Sequence, residues 1–424
     1  MSGGARAGQL RVLIVTDQYE PMIGGVPTVT RELARGLAER GHAVQVLAPS
    51  AGGRSGTAGR RLDDAAGQLT IASQRSLRWP WYQDQRLGLL RPGAARELIT
   101  GFGPDVVHVH SPLTLGAAAR SAARRRRVPV VYTNHYLPAN VHPTATAEQR
   151  SSTVSAAAGA LFDVGFYGYL TGFANRCDRV TAPTATALLL LREHGLRAPS
   201  QVMSNGIDLD VFSPGQADES LRRRYALPAG QPLILSVGRL SPEKRADVLI
   251  EAVAAQEARD AVLALAGSGP DEERLRALTA RLGVSDRVRF LGFIPGTDLP
   301  GLYRLADVFA IASEAELQSL VTMEAMASGL PVVAVNAGAL PELVHAGENG
   351  FLASAGRGGA AVVGDVAGSL DLLCRDAGLR ARMSKSGLRI IAEHDQHRLL
   401  ARWESIYRAL AARDTTAAET DRQR

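Results

Sequence analysis

Short apolar runs alternate with amphipathic stretches along nearly the whole chain, the pattern of strands buried on both faces and of helices with one wet side. Arg11-Val-Leu-Ile-Val-Thr16 is the first such run. A loop holding Gly24-Gly25 follows, and an amphipathic helix is predicted from about Val26 to Arg40, closed by Gly41. Ala43 to Ala48, Asp105 to His110 and Pro129 to Thr133 repeat the strand signature, the last two separated by an Ala/Arg-rich helix. Residues 51 to 70, rich in Gly, Ala, Arg and Ser, read as an exposed loop. A second alternation starts near Pro232, with strands at Leu233 to Val237, Val262 to Ala266, Val288 to Leu291, Val308 to Ala312 and Pro331 to Val335. Helices fall between them, one over about Asp271 to Leu282. Strands that alternate with helices imply parallel sheets wound on both faces. The fold class is therefore α/β, two Rossmann-like doubly wound parallel-sheet domains.

The expected organisation is a disordered N-terminus over 1–9, a first Rossmann-like domain over 10–210, a second over 211–390, and a C-terminal helix within 391–412 that packs back toward the first domain. A disordered polar tail is expected over 413–424. A chain of 424 residues suits two cores of this size. No run approaches the roughly 18 apolar residues of a membrane span. The first residues lack the apolar centre of a signal peptide, so the cytoplasm is the expected location. Cys177 and Cys374 make no metal-ligand spacing and are expected to be reduced and structural.

Charge changes the picture once it is divided. Leu10 to Asp208 carries 22 Arg, no Lys and 14 acidic residues, a balance of +8, whereas Leu209 onward carries 25 basic and 28 acidic residues, a balance of −3. The basic half suits an acidic lipid surface, an acidic small molecule or nucleic acid, and equally Arg spread over solvated helix faces. No helix-turn-helix or zinc module supports nucleic acid as a partner.

Candidate chemistry concentrates in the second half. Ser313-Glu-Ala-Glu-Leu-Gln-Ser-Leu-Val-Thr-Met-Glu324 carries Glu316 and Glu324 eight residues apart. A strand ends near Ala312, and the spacing of Leu320, Met323 and Ala327 starts a helix near Ser319. The free amides of Ser319, Leu320 and Val321 then stand at the carboxyl ends of parallel strands, a natural pyrophosphate site. The two carboxylates can accept hydrogen bonds from sugar or ribose hydroxyls; the bland alternative is a helix-start glutamate plus a surface one. Ser236-Val-Gly-Arg-Leu-Ser-Pro-Glu-Lys-Arg245 follows another strand and brings Arg239 and Lys244 toward the same place. Lys244 is one of two lysines, with Lys385, against 46 arginines, which points to a need for a compact ammonium or to chance in a surface loop. His135, in Tyr132-Thr-Asn-His-Tyr136, follows a buried strand at the edge of a crevice and reads as a site residue or as a capping or core histidine.

Three competitors weaken on inspection. Neither domain has G-x-G-x-x-G after its first strand, and Gly267-Ser-Gly269-Pro270 lacks the third glycine. Asp208-Leu-Asp210 is formally a metal-binding D-x-D, but it lies in the linker and reads as a turn, so no metal is expected. Arg124 to Arg127 closes a helix before a strand and reads as a solvated helix end more readily than as a membrane contact.

From about Leu10 to Ala412 the chain resembles the family-4 retaining glycosyltransferases, which have the GT-B architecture of two such domains facing a central crevice. The matching pieces, in order, are Gly24-Gly25-Val26, Asn205-Gly-Ile-Asp208, Gly238-Arg239 with Lys244, Ala266-Gly-Ser-Gly-Pro270, Glu316 with Glu324, Gly329-Leu-Pro-Val-Val and Pro341-Glu-Leu-Val. The resemblance implies that Arg239 and Lys244 hold the donor diphosphate with Gly238 and Gly267 nearby. It also implies that Glu316 meets the hexose and Glu324 the ribose, that Gly25 lies under the phosphates, and that His135 stands beside the transferred sugar. The first domain would bind the acceptor and the second the nucleotide sugar. The expected activity is retaining transfer of a hexose from a nucleoside-diphosphate sugar, uridine more than guanosine, with no cofactor. Arg75-Ser-Leu-Arg-Trp-Pro-Trp-Tyr82, Gln318 and Thr133-Asn-His-Tyr-Leu-Pro138 are similar to bacterial diacylglycerol glucosyltransferases. They favour a lipid or lipid-linked acceptor at an anionic membrane surface, with a soluble metabolite or polyol, or a nonenzymatic nucleotide-sugar binder, as alternatives.

Overall fold

The computed structural model describes residues 8–50, 68–78, 86–90, 93–138, 153–257, 259–354 and 359–422. The chain forms two compact units. Of the described residues, unit 1 gathers those within 8–138, 153–205 and 397–422, and unit 2 gathers those within 206–396.

In unit 1 the apolar runs become β1 (Arg11–Val15), β2 (Ala43–Pro49), β3 (Gln68–Gln74), β4 (Ser76–Arg78), β5 (Arg86–Gly88), β6 (Val106–Val109), β7 (Val130–Thr133), β8 (Arg179–Ala182) and β9 (Ser200–Val202). The helices are α1 (Gly25–Glu39), α2 (Ala94–Phe102), α3 (Thr114–Arg125), α4 (Thr153–Ala174) and α5 (Ala185–Glu193). Seven strands pair in the order β3-β2-β1-β6-β7-β8-β9, every neighbour parallel. β4 and β5 form a separate antiparallel hairpin. The exposed loop expected over 51–70 needs correcting at its end. Gln68 to Thr70 begin β3, because Leu69 and Ala72 are buried and the segment pairs in register with β2 from Ala43 onward. Residues 51–67 of that loop lie outside the described residues, and so do Trp79, Trp81 and Tyr82 of the later segment.

Unit 2 has α6 (Glu219–Arg224), β10 (Leu233–Val237), α7 (Ala246–Ala255), β11 (Val262–Ala266), α8 (Glu272–Arg281), β12 (Val288–Gly292), α9 (Leu299–Leu305), β13 (Val308–Ile311), α10 (Leu320–Ala327), β14 (Val332–Val335), β15 (Gly350–Ala353), α11 (Gly359–Arg375) and α12 (Ala377–Ile391). Its all-parallel sheet runs β12-β11-β10-β13-β14-β15. In both sheets the strand order reverses once, between β1 and β6 and between β10 and β13. The carboxyl ends flanking such a reversal are where open α/β sheets bind ligands. The two cysteines are buried free thiols.

The last helix, α13 (Gln396–Arg422), returns to unit 1. It continues to Arg422, where a disordered tail was expected from 413; the Ala- and Glu-containing sequence Asp414 to Arg422 has no Pro or Gly to stop it. Leu399, Leu400, Trp403, Tyr407 and Leu410 join the core formed by β1, β2 and α1. The approach is close: a methyl group on Gly36 of α1 would stand 2.4 Å from Leu400 Cδ1. Glu404 anchors the same helix. It accepts hydrogen bonds from Arg40, from His42 Nε2 at 3.1 Å and from Arg408 at 3.3 Å. His42 Nδ1 accepts from the Leu10 amide at 3.1 Å, so the His42 proton sits on Nε2 and points at the carboxylate.

The Arg40 bond above all holds the Glu404 carboxyl down at about 2. A carboxyl depressed on folding adds stability that is complete above its unfolded value and fades as pH falls through the folded one. For Glu404 that window runs from about 4.5 down to about 2, and the contribution is at most about 3 kcal/mol. Denaturant titrations should therefore find Glu404→Gln less stable than the wild type at pH 7, with the gap narrowing as pH falls below 4.5. A gap that stays constant down to pH 2.5 would exclude this linkage.

Candidate active site

Unit 2 brings most of the sequence-predicted site residues to the strand reversal between β10 and β13. Gly238 and Arg239 leave β10, and a 3-10 turn over Pro242–Lys244 sets the lysine two residues before α7. The Gly267–Gly269 loop beyond β11 lies directly on this segment. A Cβ on Gly267, whose φ is +147°, would stand 1.8 Å from the Gly238 carbonyl oxygen, and one on Gly269 would stand 2.1 Å from that of Leu240. Only glycine permits that contact. This is the physical role of the Gly-Ser-Gly-Pro run, which is not a dinucleotide fingerprint.

Glu316 comes from the loop after β13. Lys244 Nζ donates to its Oε1 at 2.6 Å, with the two side chains 34% and 11% exposed. Two residues 72 apart in sequence, singled out for different reasons, are thus one ion pair. Gly338 backs the loop: its φ is +54°, and a Cβ there would meet the Glu316 carbonyl oxygen at 2.7 Å. Next door, Arg245 donates to Glu314 at 2.7 Å.

Helix α10 begins where the apolar spacing predicted. Ser319 is its N-cap, the hydroxyl accepting from the Thr322 amide at 3.3 Å. Leu320 and Val321 open the helix, and their amides belong to the first turn, which has no intrahelical acceptor. Glu324 lies one turn further along. Desolvation pushes its carboxyl up to about 7, against a lowering by the Tyr303 hydroxyl, which donates to Oε2 at 2.7 Å. Tyr303 is wholly buried in α9, and its hydroxyl oxygen also lies 3.3 Å from the Val321 carbonyl oxygen. It ties Glu324 to the first turn of α10. Sequence reading missed it, because one tyrosine in a short helix 21 residues upstream carries no local sign of its partner.

In unit 1 the corresponding strand ends carry a polar network. Asp17, just past β1, accepts from Ser111 Oγ at 2.8 Å and the Gly88 amide at 3.2 Å, and burial pushes it up to about 6. Tyr136 Oη donates to Ser111 at 2.9 Å. His135 follows β7 as expected and is half-buried. Its Nε2 lies 2.9 Å from Nδ1 of His110, which follows β6. Burial lowers the His135 ring to about 4. The missed signal was the alternation in His108-Val109-His110 at a strand end. Gly25 opens α1, exposed. Gly25 and His135 belong to unit 1, and the other predicted site residues to unit 2.

Asp208 takes a structural role. Asp208 Oδ1 accepts from the amides of Asp210 and Val211 at 2.9 and 3.1 Å, a side-chain-capped turn. Arg124 to Arg127 are exposed at the end of α3. Among the described residues there is no cluster of three potential metal ligands, and no helix is long and apolar enough to cross a membrane.

Comparison with known proteins places this geometry. Residues 23–211 match Glycosyltransferase Family 4, and residues 217–389 match Glycosyl transferases group 1. The chain is 31% identical to a GDP-mannose-dependent alpha-mannosyltransferase of Mycolicibacterium smegmatis over 81% of its own length and 84% of that protein's. It is 27% identical to the alpha-monoglucosyldiacylglycerol synthase of Streptococcus pneumoniae, over 77% and 71%. The crystal structure of Anabaena HepE in complex with UDP and glucose shares the fold, at a TM-score of 0.71 and 23% identity, over 95% of this chain and all of that one. Two parallel Rossmann-like sheets, two family matches in chain order and a relative of nearly equal span agree: the protein has the GT-B fold, is a glycosyltransferase, and belongs to glycosyltransferase family 4.

Proposed function

We propose that the protein transfers a hexose, with retention of anomeric configuration, from a nucleoside-diphosphate sugar to a hydroxyl acceptor at an anionic membrane surface. The observation that carries the reading is the Lys244–Glu316 pair beside the start of α10. An ammonium, a guanidinium from Arg239 and unsatisfied helix amides together suit a diphosphate whose negative charge grows as it leaves. Glu316 is suited to hexose hydroxyls and Glu324 to the ribose, since a carboxylate accepts what hydroxyls donate. By family resemblance, Gly25 is assigned to the phosphates and His135 to the transferred sugar. The acceptor hydroxyl attacks from the face the diphosphate leaves, and a phosphate oxygen takes its proton. Positive charge on the protein does the work that a divalent ion would otherwise do.

Both relatives have names that specify an α-linked product, which supports retention from an α-linked sugar nucleotide. The diacylglycerol product of the second supports a lipid acceptor. So do the basic balance of the first half and the exposure of Leu161 and Val164 on α4. On the donor base, the mannosyltransferase favours GDP-mannose, whereas the sequence reading favoured uridine. One experiment tests the whole reading. GDP-mannose and UDP-glucose are each offered with anionic vesicles containing diacylglycerol, in excess EDTA, and the fresh product is read by NMR. Turnover of one donor to an α-linked glycolipid is expected. An inverted linkage, an absolute need for added metal, or transfer only to soluble polyols would overturn the corresponding part.

A further inference from the structure

His108, inside β6, packs beside His110, which meets His135 beyond the carboxyl ends of β6 and β7 in unit 1. His108 has a partner on each nitrogen: Tyr407 Oη lies 2.7 Å from Nδ1, and Thr133 Oγ1 lies 2.7 Å from Nε2. His110 differs. Its Nδ1 faces His135 Nε2 at 2.9 Å, while its Nε2 is buried without a hydrogen-bond partner among the described residues. The residue is 1% exposed. The His110 and His135 rings are 11° from parallel with centroids 5.2 Å apart. Nitrogens at 2.9 Å are closer than ring faces pack, so the contact runs edge to edge, as an N–H···N bond requires.

Both rings are neutral, because burial drives His110 well below the usual imidazole range and His135 down to about 4. Two neutral imidazoles share one proton in such a bond, which leaves two arrangements. If His135 donates from Nε2, the His110 proton must sit on Nε2, a buried N–H with nothing to accept it. If His110 donates from Nδ1, its Nε2 is a bare lone pair. A buried orphan N–H is the rarer and costlier defect, so the second arrangement wins. His135 then accepts at Nε2 and carries its own proton on Nδ1.

We propose that His110 is a positioning residue that locks His135 as the Nδ1–H tautomer, so that His135 meets the transferred sugar as a hydrogen-bond donor and not as a base. The sugar contact rests on the function proposed above; the tautomer does not. With Nε2 engaged by His110 and Nδ1 already protonated, the ring has no lone pair for the acceptor's proton. That agrees with the departing diphosphate taking it.

Long-range proton–nitrogen NMR of the full-length protein labelled with 15N-histidine reads the tautomer directly. His135→Gln identifies the His135 signals by their loss. The wild type should show His135 protonated at Nδ1, and so should His110→Asn, whose amide N–H stands where the Nδ1–H stood. His110→Leu should shift His135 toward the Nε2–H form. Turnover should follow: kcat about tenfold lower for His110→Leu and within about threefold for His110→Asn, with donor KM nearly unchanged in both. Nε2 protonation of His135 in the wild type overturns the assignment, as does His110→Leu with the Nδ1–H form and full turnover. If His110→Leu does not fold, the wild-type and His110→Asn spectra decide alone. Normal kinetics in His135→Gln, with the tautomer as stated, would remove the sugar contact and leave the role of His110 standing.

Discussion

Lys244→Ala should lower kcat/KM for the donor by about a hundredfold while leaving the fold intact. On the proposed function, part of that loss is the missing ammonium beside a leaving diphosphate. The rest comes from Glu316, which the substitution strands. Its carboxylate, 11% exposed and 2.6 Å from Lys244 Nζ, loses its partner and faces the phosphates as a like charge. Glu316→Gln alone should cost about tenfold, through weaker sugar contacts and a less constrained lysine. The double variant should then be no worse than Lys244→Ala alone, because removing the carboxylate also removes the repulsion. That non-additivity corresponds to a coupling of at least about 1 kcal/mol between the two positions. Donor kinetics on all four proteins measure it, with thermal melts as the control for folding. Additive losses would mean that the pair acts as two separate contacts, and near-normal Lys244→Ala kinetics would move the diphosphate site elsewhere.

Loss of α13 should be as damaging to stability as loss of Lys244 is to turnover. Tyr407 is fully buried, its hydroxyl 2.7 Å from His108 Nδ1 and its ring 5.6 Å from that of Trp403. Trp403 in turn lies 4.6 Å from the His108 ring. Tyr407→Ala removes a large aromatic from a closed core and should cost about 3–5 kcal/mol. Since a domain is stable by only about 5–15 kcal/mol, that is a large share of the margin. Tyr407→Phe keeps the ring and should cost about 1–2 kcal/mol, the penalty for leaving one His108 nitrogen unpaired. Truncation after Gln396 uncovers Leu399, Leu400, Trp403, Tyr407 and Leu410 contacts together and should leave unit 1 unable to fold. Denaturant unfolding and soluble yield are the measurements. A truncated chain that stays soluble and melts like the full-length protein would show that α13 is dispensable.

The sequence by itself determined the fold class, since buried parallel strands write themselves as short unbroken apolar runs. Those runs at Arg11, Ala43, Asp105 and Pro129, and five more from Leu233 to Val335, all became strands within about two residues. It also determined where α10 begins, because the period of Leu320, Met323 and Ala327 and the capping serine are local signals. The short strands β4, β5, β8, β9 and β15 were not legible. β4, β5, β8 and β9 carry only one or two apolar residues each, and the pairing of all five is decided by a neighbour elsewhere along the chain. For the same reason the end of the expected 51–70 loop became β3.

The site was legible as a set of residues but not as an arrangement. Residue type and spacing selected Lys244, Glu316 and Glu324, yet the ion pair joining the first two depends on two loops that meet only once β10 and β13 lie side by side. Tyr303 reaching Glu324, Gly267 against the Gly238 carbonyl, and His110 facing His135 have the same origin. Each is a contact between strand ends or helices that the sheet brings together, and no local pattern records it. Charges show the same division. Composition counts the carboxylates alike, whereas burial lifts Glu324 to about 7 and the hydrogen bonds from Arg40 and His42 draw Glu404 down to about 2. Desolvation and hydrogen-bond partners set those values, and both exist only in the folded chain.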